Sequence, residues 1–140
     1  MIERAIVLAG VFVLVIVATL AVRALASRRA TAVHGVRLPV ELRQRLDGGG
    51  VVYFFGTHCA SCRQQGQILD RLSEDTGTSI LRINAVEEPK IADSLNILTV
   101  PTTVVVDEQH RVRALNPGFR SRQVLESQLS ERVMETEEVS

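Results

Sequence analysis

Residues Ala5 to Val22 carry no charged side chain and present no polar face, and this constrains the fold more than any other feature. A helix apolar all round for this length cannot lie with one side on a core and the other in water. With Arg23 snorkelling at its end, the segment reaches the roughly 20 residues that cross a bilayer. It is therefore expected to sit in the membrane, and the rest of the 140-residue chain must fold without it. What remains suits one domain of about 100 residues. Its core has to be built from Val, Ile and Leu, because aromatics are few and Trp is absent.

Ala24-Leu25-Ala26 matches the small-x-small pattern of a cleaved secretory signal. The apolar stretch is longer than a usual signal core, and Arg23, Arg28 and Arg29 crowd the cleavage point, so a retained anchor is the favoured reading. Arg4 alone precedes the segment, whereas Arg23, Arg28, Arg29 and Arg37 follow it. Counting basic residues places the C-terminal domain in the cytoplasm, with an extracytoplasmic domain as the alternative. Charge is balanced, 16 basic against 16 acidic residues, which gives no electrostatic case for a nucleic-acid partner.

Beyond a polar linker from Ser27 to Gly35, helical and extended patterns alternate. Leu38 to Leu46 suits a short helix ended by Asp47-Gly48-Gly49-Gly50. Val51 to Gly56 is a near-continuous apolar run, the mark of a strand buried on both faces. Cys59 to Asp75 has apolar residues at helical spacing and is closed by Gly77. Ser79 to Ala85 reads as a second strand, and Glu87 to Leu95 as a helix opened by Pro89. Thr102 to Asp107 and Arg111 to Asn116 form an antiparallel hairpin around a polar turn. Arg120 to Val133 places Val124, Leu125, Leu129 and Val133 on one helical face, followed by an acidic, frayed tail. The order predicts a mixed sheet with helices on both faces.

The only two cysteines stand in Cys59-Ala60-Ser61-Cys62, directly after the expected buried strand. If a helix starts there, the first sulfur lies at its N-terminus, where the dipole and free N–H groups favour thiolate. Zinc would need two more ligands, and His34, His58 and His110 have no paired spacing. Covalent haem needs His after the second Cys, where Arg63 stands. A disulfide closing so short a loop removes little chain entropy, so it would be a poor staple and a workable redox switch.

The order strand, Cys59-Ala60-Ser61-Cys62, helix, strand, helix, Val100-Pro101-Thr102, hairpin, Gly118, helix resembles a thioredoxin domain over about Val33 to Val133. The resemblance implies a three-layer α/β/α fold with a mixed sheet, preceded by one transmembrane helix. It divides the chain into an N-terminal tail (1–4), a transmembrane helix (5–25), a linker (26–32), a thioredoxin-like domain (33–134) and an acidic tail (135–140). It also implies a Cys59-Cys62 disulfide couple, Cys59 attacking a substrate disulfide and Cys62 resolving the mixed disulfide. Pro101 would be cis and face the pair, keeping a backbone N–H, and a metal, away from the sulfurs. Val100, Pro101, His58 and Gly118 would bind substrate, with Val100 offering its backbone to an extended segment. No cofactor is implied. The implied partners are protein disulfide or dithiol clients, a thioredoxin reductase or membrane thiol transporter as electron source, and the bilayer.

The departures from the family pattern are informative. His58 replaces the Trp before the first cysteine, and is an acid-base aid, a cation that lowers the Cys59 pKa, or a solvent-facing spacer. Tyr53 stands where thioredoxins carry a buried Asp, and its reference pKa of about 10 rules it out as a base near neutrality. Arg82 keeps the positive charge usual near that Asp, and Gln67 replaces the helix proline. Both Tyr53 and Arg82 are expected to modulate the pair. Ala60-Ser61 places no cation between the cysteines, which predicts an intermediate to reducing potential. The reading that results is a specialised, membrane-anchored thiol-disulfide oxidoreductase. The alternative is a non-catalytic thioredoxin-fold binding module or redox sensor, holding a soft metal through Cys59, Cys62 and His58.

Overall fold

The computed structural model describes residues 1–137, with side chains described except at positions 26, 29–31 and 132–137. The chain divides into two compact units, with the boundary between Ala32 and Val33. The first, Met1–Ala32, holds all of helix α1 (Ile2–Val33) but its last residue, and the stretch Ile2–Leu25 is long and apolar enough to cross a membrane. Its 24 residues extend about 36 Å, more than the roughly 30 Å of hydrocarbon. The helix also runs through the stretch expected to be a linker. Ala, Arg, Ser and Thr fill that stretch, Ala and Arg are strong helix formers, and no Gly or Pro intervenes before Gly35.

The second unit starts with Val33, which is buried in its core. The Leu38 to Leu46 segment forms only one helical turn, α2 (Val40–Arg43). Leu38, Leu42 and Leu46 point into the core while Val40 is exposed. Strand β1 (Gly50–Phe55) follows, then α3 (Ala60–Thr76), β2 (Ser79–Asn84), α4 (Pro89–Ser94), β3 (Thr102–Val106), β4 (Val112–Pro117) and α5 (Arg122–Glu137). Gly77 ends α3 in the left-handed region at φ 71°, donating its N–H to the Ser73 carbonyl, a conformation glycine adopts without a Cβ clash.

The strands form one mixed sheet in the order β2-β1-β3-β4. β1 runs parallel to β2 and antiparallel to β3, and β3 pairs antiparallel with β4. The alternation along β1 assigns its side chains to two cores. Val51 and Tyr53 pack with Leu69 and Leu72 of α3 and Leu125 and Leu129 of α5. Val52 and Phe54 pack on the other face with Leu42, Ala92 and Leu95. This is the three-layer arrangement the apolar run predicts.

The last helix differs from its expected pattern. Val124 is 38% exposed, because the sheet-facing row is Leu125 and Leu129, with Gln128 exchanging amide hydrogen bonds with Asn116 of β4 at 2.8 and 2.9 Å. The helix continues to Glu137, into the stretch expected to fray. The Val133 side chain and residues 138–140 lie outside the described residues.

Candidate active site

The two cysteines are placed by the junction of β1 and α3. Cys59 has an extended backbone (φ −124°, ψ 106°) and is the N-cap of α3, its sulfur accepting the Cys62 N–H at 3.2 Å. Sulfur here takes the position of a capping oxygen, satisfying a donor that the first helical turn leaves open. The Ser61 hydroxyl lies 3.5 Å from the same sulfur. Cys59 and Cys62 are joined as a disulfide, with Cα atoms 5.1 Å apart. Cys59 is half-buried and Cys62 is buried at 4% exposure. The pair is therefore asymmetric: one sulfur can be reached and the other is screened behind it.

The Val100–Pro101 peptide is cis. Val100, Cys59 and Phe55 pack against the cluster that contains Cys62, and a Cβ on Gly56 would lie 3.1 Å from Val100 Cγ2. Gly118 donates its N–H to the Pro101 carbonyl at 2.8 Å, tying the loop before α5 to the proline. Gln65, fully buried on α3, accepts the Arg120 N–H at 2.7 Å and holds the other side of that loop. His58 is exposed and lies outside the cavity beside the disulfide.

That cavity, about 470 Å3, opens between the first three turns of α3 and the strands β1 and β2. Tyr53, buried at 1% exposure, donates its hydroxyl to the Cys62 carbonyl. Burial pushes the phenol's pKa above its ordinary value; nearby Arg82 pulls it down by less, and Asp70 adds to the rise. The Arg82 guanidinium lies 5.6 Å from the Tyr53 ring centroid, donates to the Gly66 carbonyl at 3.3 Å and pairs with Asp70. A Cβ at Gly66 would sit 3.2 Å from Arg82 Nη1, so glycine in this helix interior leaves room for the guanidinium.

Tyr53 and Arg82 thus meet beside the disulfide, and Gly66 and Asp70 complete the group. Gly66 carried a signal, since glycine costs about 1 kcal/mol in a helix interior and is usually replaced where nothing requires it. Asp70 lies eight positions after Cys62, on the same side of the helix two turns on. Among the described residues, no three His, Cys, Asp or Glu side chains group to hold a metal ion.

A profile of the family described as "TraF: F plasmid transfer operon protein" matches residues 19–130, most of the chain. The chain belongs to the TraF family. The TraF match takes in both cysteines, Pro101 and Gly118, and it begins inside the apolar helix. Among solved structures, one titled "Structure of a malarial protein" is similar with a TM-score of 0.56 at 21% identity, over 61% of this chain and 97% of that one. A second, a malaria parasite thioredoxin-2 described as a component of protein secretion machinery, matches with a TM-score of 0.56 at 21% identity. It covers 60% of this chain and 82% of its own. These likenesses show the fold. This TraF-family chain has a thioredoxin-like domain with a close cysteine pair, and one N-terminal apolar helix that suits a membrane anchor or a signal sequence.

Proposed function

We propose that this chain is a membrane-tethered thiol-disulfide oxidoreductase acting on disulfides of proteins at the membrane surface. The observation that carries the reading is the asymmetry of the pair, a reachable Cys59 capping α3 and a buried Cys62 one turn behind it. Once reduced, Cys59 keeps the Cys62 N–H and the positive end of the helix beside it, both of which stabilise a thiolate. That thiolate attacks a client disulfide, a Cys59 mixed disulfide forms, and the departing client sulfur takes a proton. Cys62 then attacks Cys59, re-forming the disulfide and releasing the client as a dithiol. Val100, beside cis Pro101, offers an extended client backbone an edge to pair with. The family's description, a plasmid transfer operon protein, suits clients that are assembled at a membrane. A reductase or a membrane thiol transporter would return electrons to the disulfide.

The test is reduction of insulin disulfides by the full chain in nonionic detergent with a dithiol as electron source. Turnover is expected to vanish in Cys59→Ser, and Cys62→Ser is expected to accumulate a mixed disulfide on Cys59. No turnover with any reductant, together with tight stoichiometric binding of a soft metal, would make the chain a binding module instead.

A further inference from the structure

We propose that the cavity beside the Cys59-Cys62 disulfide is a binding site for an anionic, low-molecular-weight thiol. This rests on the exchange chemistry proposed above and names one of its substrates. At about 470 Å3 the cavity falls within the roughly 300–1,000 Å3 range of small-molecule sites. It is separate in kind from the edge at Val100, which suits an extended polypeptide backbone.

The charge of the ligand follows from the wall. Two guanidinium groups, Arg63 and Arg82, line the cavity against one carboxylate, Asp70, and that carboxylate is already engaged by Arg82 Nη2. Arg63 is exposed and has no ion pair or side-chain hydrogen bond among the described residues. Arg82 uses only Nη2 for Gly66 and Asp70, and its Nη1 lies against the bare surface of Gly66. The Asn84 side chain caps its own turn through Oδ1, which leaves its amide N–H groups for a ligand. A carboxylate is the acceptor that matches this set of free donors, since guanidinium holds carboxylates in a fork.

The thiol follows from what else forms the wall. Both cysteines line the same cavity, so a carboxylate anchored by Arg63 brings its own sulfur to Cys59, the more exposed of the two. The ligand thiolate attacks Cys59 Sγ, a bond forms between the two sulfurs, and the Cys59-Cys62 bond breaks with its electron pair passing to Cys62, which takes a proton. A second thiolate attacks the ligand sulfur and expels Cys59 as thiolate. Two thiols are oxidised to one disulfide, and the protein disulfide is reduced to a dithiol.

The experiment compares opening of the disulfide in the full, detergent-solubilised chain by mercaptopropionate, which is anionic, and mercaptoethanol, which is neutral. Mixed-disulfide mass and released protein thiol are followed. The quantity read is the ratio of the two rates, which cancels much of a variant's effect on the disulfide itself. Arg63→Gln is expected to lower that ratio by about threefold, the scale of one partly exposed ion pair, and Arg63→Glu to lower it further. Arg71→Gln, an exposed arginine of the same helix outside the cavity, is expected to leave the ratio unchanged. An unchanged ratio in both Arg63 variants, or an equal fall in Arg71→Gln, would overturn the site while leaving the oxidoreductase reading intact. Failure of mercaptopropionate to open a disulfide that mercaptoethanol opens would overturn the site alone, and failure of every reductant, dithiols included, would overturn both.

Discussion

Tyr53 is the buried side chain hydrogen-bonded to the Cys62 backbone, and in the proposed exchange it bears on how Cys62 loses its proton. A carboxylate at its position would give Cys62 a proton acceptor; a phenol whose hydroxyl is committed to the Cys62 carbonyl gives none near neutrality. Its role is to fix the first turn of α3 and to fill the space under the disulfide with a neutral ring. Because burial raises its pKa, the folded chain holds the phenol proton more tightly than the unfolded chain does. The number of protons bound then becomes larger in the native state above pH about 10, so this contribution to stability is complete below that value. It is lost as the pH climbs through the raised value of the folded state. Tyr53 is the only tyrosine and Lys90 the only lysine, so few other groups titrate in that window. Phenolate absorbance of the folded chain is therefore expected to show one titration centred above 10, with the denatured chain titrating near about 10. A folded midpoint at or below the denatured one would remove the argument. Tyr53→Phe is expected to flatten the alkaline fall in stability, and to cost about 1 kcal/mol at neutral pH for the lost hydrogen bond.

Helix α3 is capped by the same sulfur to which the proposed chemistry assigns the attack. With Cys62 replaced by Ala to remove the disulfide, Cys59→Ser keeps an acceptor at the N-cap and Cys59→Ala does not. The Ser form is expected to be more stable in urea unfolding by about 1 kcal/mol, and equal midpoints would show that the sulfur does no capping. This cap was legible in the sequence because an apolar run followed by Cys-x-x-Cys sets a strand beside a helix start. So was the Gly77 stop, for which a glycine after the last helical residue is the ordinary signal. The hairpin was legible too, since β-branched runs flank a polar turn at Asp107. Other features were hidden for physical reasons. The meeting of Arg82 with Gly66 and Asp70 joins residues 16 and 12 positions apart across two elements, and no local periodicity reports such a contact. The extension of α1 to Val33 was masked because polar residues read as a linker, although Ala and Arg favour helix as strongly as any residues do. Val124 was misassigned to the core face because adjacent apolar residues on a helix point about 100° apart, and among the described side chains of α5 Leu125 and Leu129 are the apolar ones that face the sheet.

At the scale of the whole molecule, the apolar helix and the cysteine pair are linked by one covalent chain, so if the helix is a retained anchor, the side of the membrane taken by the residues after α1 would set which electron source the proposed exchange could draw on. Within the span Ile2–Leu25, the stretch from Ala5 to Val22 presents no charged side chain on any face, which suits lipid on every side. Arg4 is the sole basic residue before the apolar core, and Arg23, Arg28 and Arg29 all lie within a few residues of its end. That is the short range over which basic residues orient a segment. On this count we propose a cytoplasmic domain, which a soluble reductase would recharge. Because the chain has only two cysteines, both in the domain, a membrane-impermeant maleimide reads topology directly. In intact cells expressing Cys62→Ser, after mild reduction, Cys59 is expected to stay unlabelled until the membrane is permeabilised, and the full-length chain to stay in the membrane fraction. Labelling from outside with the chain still membrane-bound would reverse the orientation and make a membrane thiol transporter the electron source. A shortened, soluble chain starting after Ala26 would make the helix a signal sequence, and the pair would then act free of the membrane.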